Sequence, residues 1–329
     1  MQIAWRWMTA ASLALIVLTT LVGAVSGLRM STSTGVVISP EPFSLFVRGA
    51  YGRDSTCRAA SKAVDNGCLY GTGLDNIAAA RFNTVQANAW PESLSPIAAK
   101  GLKAIVWVGG WNKTKCAWDL SDGQLTERIN SIKASPAVLV YYLADGPSFS
   151  YCPNAPSSFA RRTALVHRLH PGSKTFAVMP NWDRGPVDYL RWETAVDVLG
   201  FDLYPCHFLN GSDATAKTKV RQPCDFAGVT DNGIRRIEQA GITGYIGVLQ
   251  DFQDCFYELP SNEELLTQVR LWQQLAFHMA GYLFFSWNYS AAPCTYGSLG
   301  VNLDQTPGNV AALSYVNTHL FMRGTAVGG

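Results

Sequence analysis

Eight short apolar runs recur along the chain, and a stretch of helical periodicity follows each. The runs occupy residues 45–50, 84–87, 102–108, 138–144, 175–179, 198–204, 245–250 and 282–287. Most are continuous rather than alternating, which is the pattern of parallel strands covered by helices on their outer face. The helical patterns lie at residues 74–80, 93–100, 123–134, 157–170, 187–194, 233–240, 262–278 and 308–320. Ser157 and Ser261 are expected N-caps, because a serine hydroxyl accepts from the free amides of a first turn. Strand and helix alternating in this way predict a (β/α)8 TIM barrel, an α/β fold in one domain. An open doubly wound sheet shares the alternation, but no GxGxxG follows the first strand.

Composition narrows the class. The chain has 329 residues, 48% of them hydrophobic, which suffices for one large core. Net charge is +2 and no basic block occurs, so nucleic acid is not an expected partner. Residues 1–26 read as a signal peptide: Arg6 leads an apolar run, and Ala24, Val25 and Ser26 offer a cleavage site. Left uncleaved, the same run would serve as a membrane anchor. Residues 27–42 form a linker, 43–323 the barrel and 324–329 a tail. The expected product is a secreted monomer.

Eight cysteines in an exported chain predict disulfides. Cys57 and Cys68 share one loop, as do Cys206 and Cys224. Cys116 and Cys152 follow consecutive strands, as do Cys255 and Cys294. These four pairs are expected. No CxxC or HxxxH spacing supports a metal site, and no cofactor motif occurs. Asn112, Asn210 and Asn288 begin glycosylation sequons.

In a barrel, function gathers at the strand exits. Those exits bring Arg48 and Tyr51; Asn88, Trp90 and Glu92; Trp107, Trp111 and Asn112; Asp145; Asn181, Trp182 and Asp183; Asp202 and Tyr204; Gln250 and Asp251; Trp287 and Asn288. Carboxylates, amides and indoles together suit a sugar. Flat rings cover the apolar face of a pyranose, and polar groups bind its hydroxyls. Glycoside hydrolysis needs two carboxyl groups across the scissile bond. Asp145 and Asp202 end runs two strands apart, with Asp145 expected as nucleophile or base and Asp202 as general acid. Asp251 is the reserve carboxylate. Trp90, Trp111, Trp182, Tyr204 and Trp287 are expected sugar platforms. Arg48, Asn181, Gln250 and Asn288 are expected to bind hydroxyls. If Asp145 points inward, strict alternation takes Leu143 and Tyr141 inward too. If Asp202 does, Gly200, Val198 and Tyr204 follow. Asp54, Asp119, Asp254 and Glu258 are expected on solvated loops. No GxSxG occurs, and His207 is the one histidine in an exit loop.

The series YYLADGP, VDVLGFDLYP, IGVLQDF and GYLFFSWN resembles the clan A (β/α)8 glycoside hydrolases, over strands four to eight. The resemblance implies glycoside hydrolysis, with Trp287 as the tryptophan lining a sugar subsite. Clan members carry an acid/base glutamate after strand four, where this chain has Gly146. They carry a nucleophilic glutamate after strand seven, where it has Gln250-Asp251. Aspartates after strands four and six are used by barrel glycosidases of the α-galactosidase type. The resemblance therefore leaves two functions open: a secreted glycosidase of poly- or oligosaccharides working through an aspartate pair, or a non-catalytic carbohydrate-binding barrel.

Overall fold

A computed structural model describes residues 43, 45–51, 72–180, 186–210, 219–287 and 305–319. The signal segment, the linker and the tail lie outside these residues. So do Asp54, Asn181, Trp182, Asp183, Asn288, Cys57, Cys68 and Cys294. Eight parallel strands close into a barrel, in the circular order β1-β8-β7-β6-β5-β4-β3-β2. They are β1 (Val47–Tyr51), β2 (Thr84–Asn88), β3 (Lys103–Trp107), β4 (Val138–Asp145), β5 (Thr175–Pro180), β6 (Val198–Asp202), β7 (Tyr245–Gln250) and β8 (Met279–Phe285). The helices between them are α1 (Thr72–Ala79), α2 (Pro91–Ala99), α3 (Asp122–Ile132), α4 (Ala155–Leu169), α5 (Pro186–Glu193), α6 (Asn232–Gln239), α7 (Asn262–Leu275) and α8 (Pro307–His319). The expected TIM barrel is the observed fold.

Two apolar layers hold it. Inside the barrel, Val47, Ile105, Val140, Tyr142, Phe176 and Leu283 belong to one buried cluster. Between sheet and helices lies a larger one, with Tyr141, Leu143, Phe159, Trp192 and Trp272. The inner layer needs small residues as well as large ones. A Cβ at Gly200 would stand 2.7 Å from the Phe176 ring, and one at Gly49 would overlap Leu283. Glycine at these two positions lets the bulky neighbours fill the barrel axis.

Helix starts follow local chemistry. Ser261 caps α7 as expected: Glu264 N–H donates to its Oγ (3.3 Å), and Ser261 N–H donates to Glu264 Oε2 (2.8 Å). Ser121 and Gln124 form the same reciprocal pair on α3. The expected cap Ser157 is corrected. Helix α4 begins one turn earlier, at Asn154, and Ser157 Oγ donates to Asn154 O (2.9 Å) from inside the first turn.

The strand register corrects one expectation. Pairing of β4 with β5 shifts between Tyr142 and Ala144, so one residue of β4 is extra. A bulge of this kind reverses the faces on either side of it. Tyr141 and Leu143 therefore face the helices, while Val140 and Tyr142 face the barrel axis. On β6, which has no shift, alternation holds: Val198 and Tyr204 pack on the inner layer.

Disulfides Cys116–Cys152 and Cys206–Cys224 form as expected. Cys255 is also disulfide-bonded, and its partner lies outside the described residues. Among the described residues no helix is long and apolar enough to cross a membrane.

Candidate functional site

Strand ends gather aromatic rings around two carboxylates at the C-terminal mouth of the barrel. Trp107 of β3 meets Tyr142 of β4 edge-on, with centroids 4.8 Å apart. Tyr142 meets Tyr51 of β1 at 6.1 Å, and Tyr51 meets Phe285 of β8 at 4.8 Å. Phe285 lies 6.1 Å from Tyr204, nearly parallel to it at 28°. Tyr204 in turn meets Phe252 (5.2 Å) and Tyr257 (5.3 Å) from the loop after β7. Tyr142 and Tyr51 are buried beneath; Trp107, Phe285, Tyr204 and Tyr257 keep part of their surface open.

Asp145 is exposed at the end of β4, and Asp202 is half-buried at the end of β6. Tyr204 is the hub between them. Its phenol is held well above the usual tyrosine range, first by burial and then by the charges of Asp202 and Asp145. Burial and Asp145 do the same to Tyr142. Burial and Asp202 raise Tyr257. The phenols around the pair therefore keep their protons at neutral pH and can donate hydrogen bonds. Asp145 stands level with Val178 and Gly200, whereas Asp202 stands level with Pro180, two residues nearer the mouth. Strands ~4.8 Å apart, rising ~3.3 Å per residue, put the two Cα atoms roughly 11–12 Å apart.

Other expected site residues sit elsewhere. Arg48 turns outward: its Nη1 donates to Asn317 O of α8 (2.8 Å). Trp90 precedes α2 and lies under Arg128 of α3, 5.2 Å from ring centroid to guanidinium. Trp111 is no platform. It belongs to a short antiparallel ribbon, Trp111–Asn112 with Ala117–Trp118, and packs edge-on against Trp118 (5.1 Å) and Phe159 (5.4 Å). Trp287 is buried on the helix side of β8, 6.2 Å from Phe82. With Ala79 and Val310 it lines a pocket between α1 and α8. The β8 ring in the mouth is Phe285.

Gln250 is fully buried and wholly engaged. Its Nε2 donates to Cys206 O (2.9 Å) and Glu258 O (2.8 Å), and its Oε1 accepts from Cys206 N–H (2.9 Å). It clamps the loops after β6 and β7 rather than presenting an amide to a ligand. Asp251 is fully buried behind the rim, where Asn309 Nδ2 of α8 donates to Oδ1 (2.6 Å). Burial pushes its carboxyl up to about 7, against the Asn309 hydrogen bond. Glu258 is not solvated: it is buried and paired with Arg221. Gly146 has φ +59°, so a β-carbon there would be strained. Both positions where the resemblance puts a glutamate thus have backbone or packing duties of their own.

Several mouth residues escaped the sequence reading. Phe285 could have been found, because it lies two residues beyond the inward Leu283. Tyr142 was hidden by the bulge. Tyr257 reaches the mouth through a bridge between His207 and Tyr257, which no local pattern announces. Burial lowers the His207 imidazole, against the charges of Asp225 and Asp254. Among the described residues no cluster of three or more His, Cys, Asp and Glu side chains could hold a metal ion.

No protein-family profile matches the chain, and no curated protein matches it in sequence. Solved structures do match in fold. A β-glucuronidase of Ruminococcus gnavus superposes with a TM-score of 0.56 at 12% identity, over 83% of this chain and 50% of that one. One from Faecalibacterium prausnitzii gives 0.56 at 14%, over 86% and 50%. One from Dictyoglomus thermophilum gives 0.54 at 13%, over 85% and 51%. This chain spans about half the length of each. At such identities the likeness establishes a shared barrel fold.

Proposed function

We propose that this barrel is a glycoside hydrolase of poly- or oligosaccharides, with Asp145 and Asp202 as its paired carboxyl groups. One observation carries the reading: two aspartates end strands two apart at a mouth ringed by Tyr51, Tyr142, Tyr204, Tyr257 and Phe285. Exposure divides the roles. Asp145, open to solvent, is the base that takes a proton from water. Asp202, half-buried among phenols, gives its proton to the leaving oxygen. Cα atoms roughly 11–12 Å apart leave room for the roughly 6.5–9.5 Å carboxyl separation of inverting enzymes. The fold shared with β-glucuronidases and the disulfides on the loops support an extracellular glycosidase.

A second reading has its own support. Gly146 and Gln250 are structural, which favours a barrel that binds glycan without cleaving it. Reducing-sugar release over a polysaccharide panel separates the two. Release by the native chain that vanishes in Asp145→Asn and Asp202→Asn supports the enzyme. Glycan binding with no release by the native chain supports the binder.

A further inference from the structure

Strand β2 brings two amides to the barrel axis that the carboxylate chemistry does not use. Its register with β3 is unbroken, pairing Gln86 with Ile105 and Asn88 with Trp107. Ile105 belongs to the inner layer and Trp107 packs on it, whereas Val85 and Ala87 belong to the helix side. Gln86 and Asn88 therefore point inward. The β1–β2 register, Gly49 with Thr84 and Ala50 with Val85, sets Gln86 beside Tyr51 at its next step. Tyr51 floors the aromatic mouth, so Gln86 lies at that floor and Asn88 one pleat nearer the opening.

Gln86 is 3% exposed, and its Oε1 is enclosed with no hydrogen-bond partner among the described residues. An unserved buried acceptor is costly, and an apolar side chain of the same shape would remove the cost. Its position at the mouth points to a ligand group that donates to it. A sugar hydroxyl donates; a carboxylate does not. Asn88 is half-buried beside Trp107, whose ring keeps part of its surface open.

We infer that Gln86 and Asn88 form a hydroxyl-binding subsite for a pyranose ring stacked on Trp107, across the barrel from Asp202. Strands β2 and β6 stand four apart in the closed ring of eight, on opposite sides of the mouth. This rests on the glycosidase reading and specifies how that site holds its sugar. The two residues stand roughly 6.6 Å apart along one strand face, so one ring can meet both amides. Amides donate and accept, as hydroxyls do, and the indole beside them covers the apolar face of the ring.

The test is calorimetry on the full chain carrying Asp145→Asn, to prevent turnover. The probes are hexasaccharides of the cello, xylo, manno and β-1,3-gluco series, then the methyl glycoside of the sugar that binds and its monodeoxy derivatives. Gln86→Met keeps the shape and removes one amide; Asn88→Ala removes the other. Each should weaken the hexasaccharide about tenfold. For each amide, one monodeoxy glycoside should bind the variant as well as it binds the parent protein, because the hydroxyl that the amide reads is already gone. The melting temperature of Gln86→Met should not fall, since the lost oxygen has no protein partner. Hexasaccharide affinity unchanged in both variants overturns the subsite and leaves the glycosidase reading standing. Equal weakening of the glycoside and all its deoxy derivatives overturns it as well, as a general loss of shape. No binding of any probe, together with no sugar release, removes both the subsite and the glycosidase reading.

Discussion

The substitution Gln250→Glu would aim a carboxylate oxygen at two carbonyl oxygens. In the native site the amide nitrogen satisfies both, Cys206 O at 2.9 Å and Glu258 O at 2.8 Å, with no access to water. A protonated glutamic acid can donate to one of them. The other loses its donor, at a cost of about 1–3 kcal/mol. Keeping the proton adds a pH-dependent cost. An unfolded glutamate has a pKa of ~4.3, and burial against two carbonyls raises the folded value. The unfolded state then releases its proton first, so the variant loses about 1.4 kcal/mol per pH unit above ~4.3. By pH 7 this adds roughly 3–4 kcal/mol, for a total near the whole stability of a marginal domain. Urea unfolding of both proteins from pH 4 to 8, disulfides intact, measures it. The native Asp251 contribution is present in both and cancels in the difference. A variant as stable as the native chain at pH 7, or a deficit that does not grow between pH 4.5 and 7, would refute the clamp.

Four further outcomes are expected. Asp145→Asn and Asp202→Asn should each lower kcat about 10²–10⁴-fold while binding persists, and proton NMR of the first product should show the inverted anomer. Asp251 keeps its proton in the folded chain until about pH 7 but loses it near 4 when unfolded, so native stability should fall as pH rises across that window. Asp251→Asn should flatten that slope in urea titrations and spare turnover, since the side chain faces Asn309 behind the rim. Gly146→Ala should cost ~1–2 kcal/mol in the same assay, because φ is +59°. Cys206→Ser with Cys224→Ser removes a staple across 18 residues and should cost about 3 kcal/mol in the same assay.

Barrel architecture was legible because its signals are local. A run such as YIGVLQ is apolar on both faces only if helices cover the outside, and its predicted limits match β7 residue for residue. Ser261 and Glu264 announce α7 within four residues. Asp145 and Asp202 were legible as strand ends because strand exits follow from strand limits. The disulfides Cys116–Cys152 and Cys206–Cys224 followed from the same limits, since loops on one face of a barrel bring their cysteines together.

Side-chain direction was a different matter. One extra residue in β4 moved Tyr141 and Leu143 to the helix layer and put Tyr142 at the mouth, and nothing in VLVYYLAD marks the bulge. Trp111 and Trp287 look like sugar platforms from position alone, yet both are buried against neighbours as remote in sequence as Phe159 and Phe82. Gln250 and Asp251 stand at a strand exit like any ligand-binding pair, but Cys206 and Asn309 claim them. Chain periodicity determined which segments are strands and helices, because it reports how each residue meets its near neighbours. Tertiary structure alone decided which exit residues stay open at the mouth, because burial and hydrogen bonding there depend on partners tens of residues away.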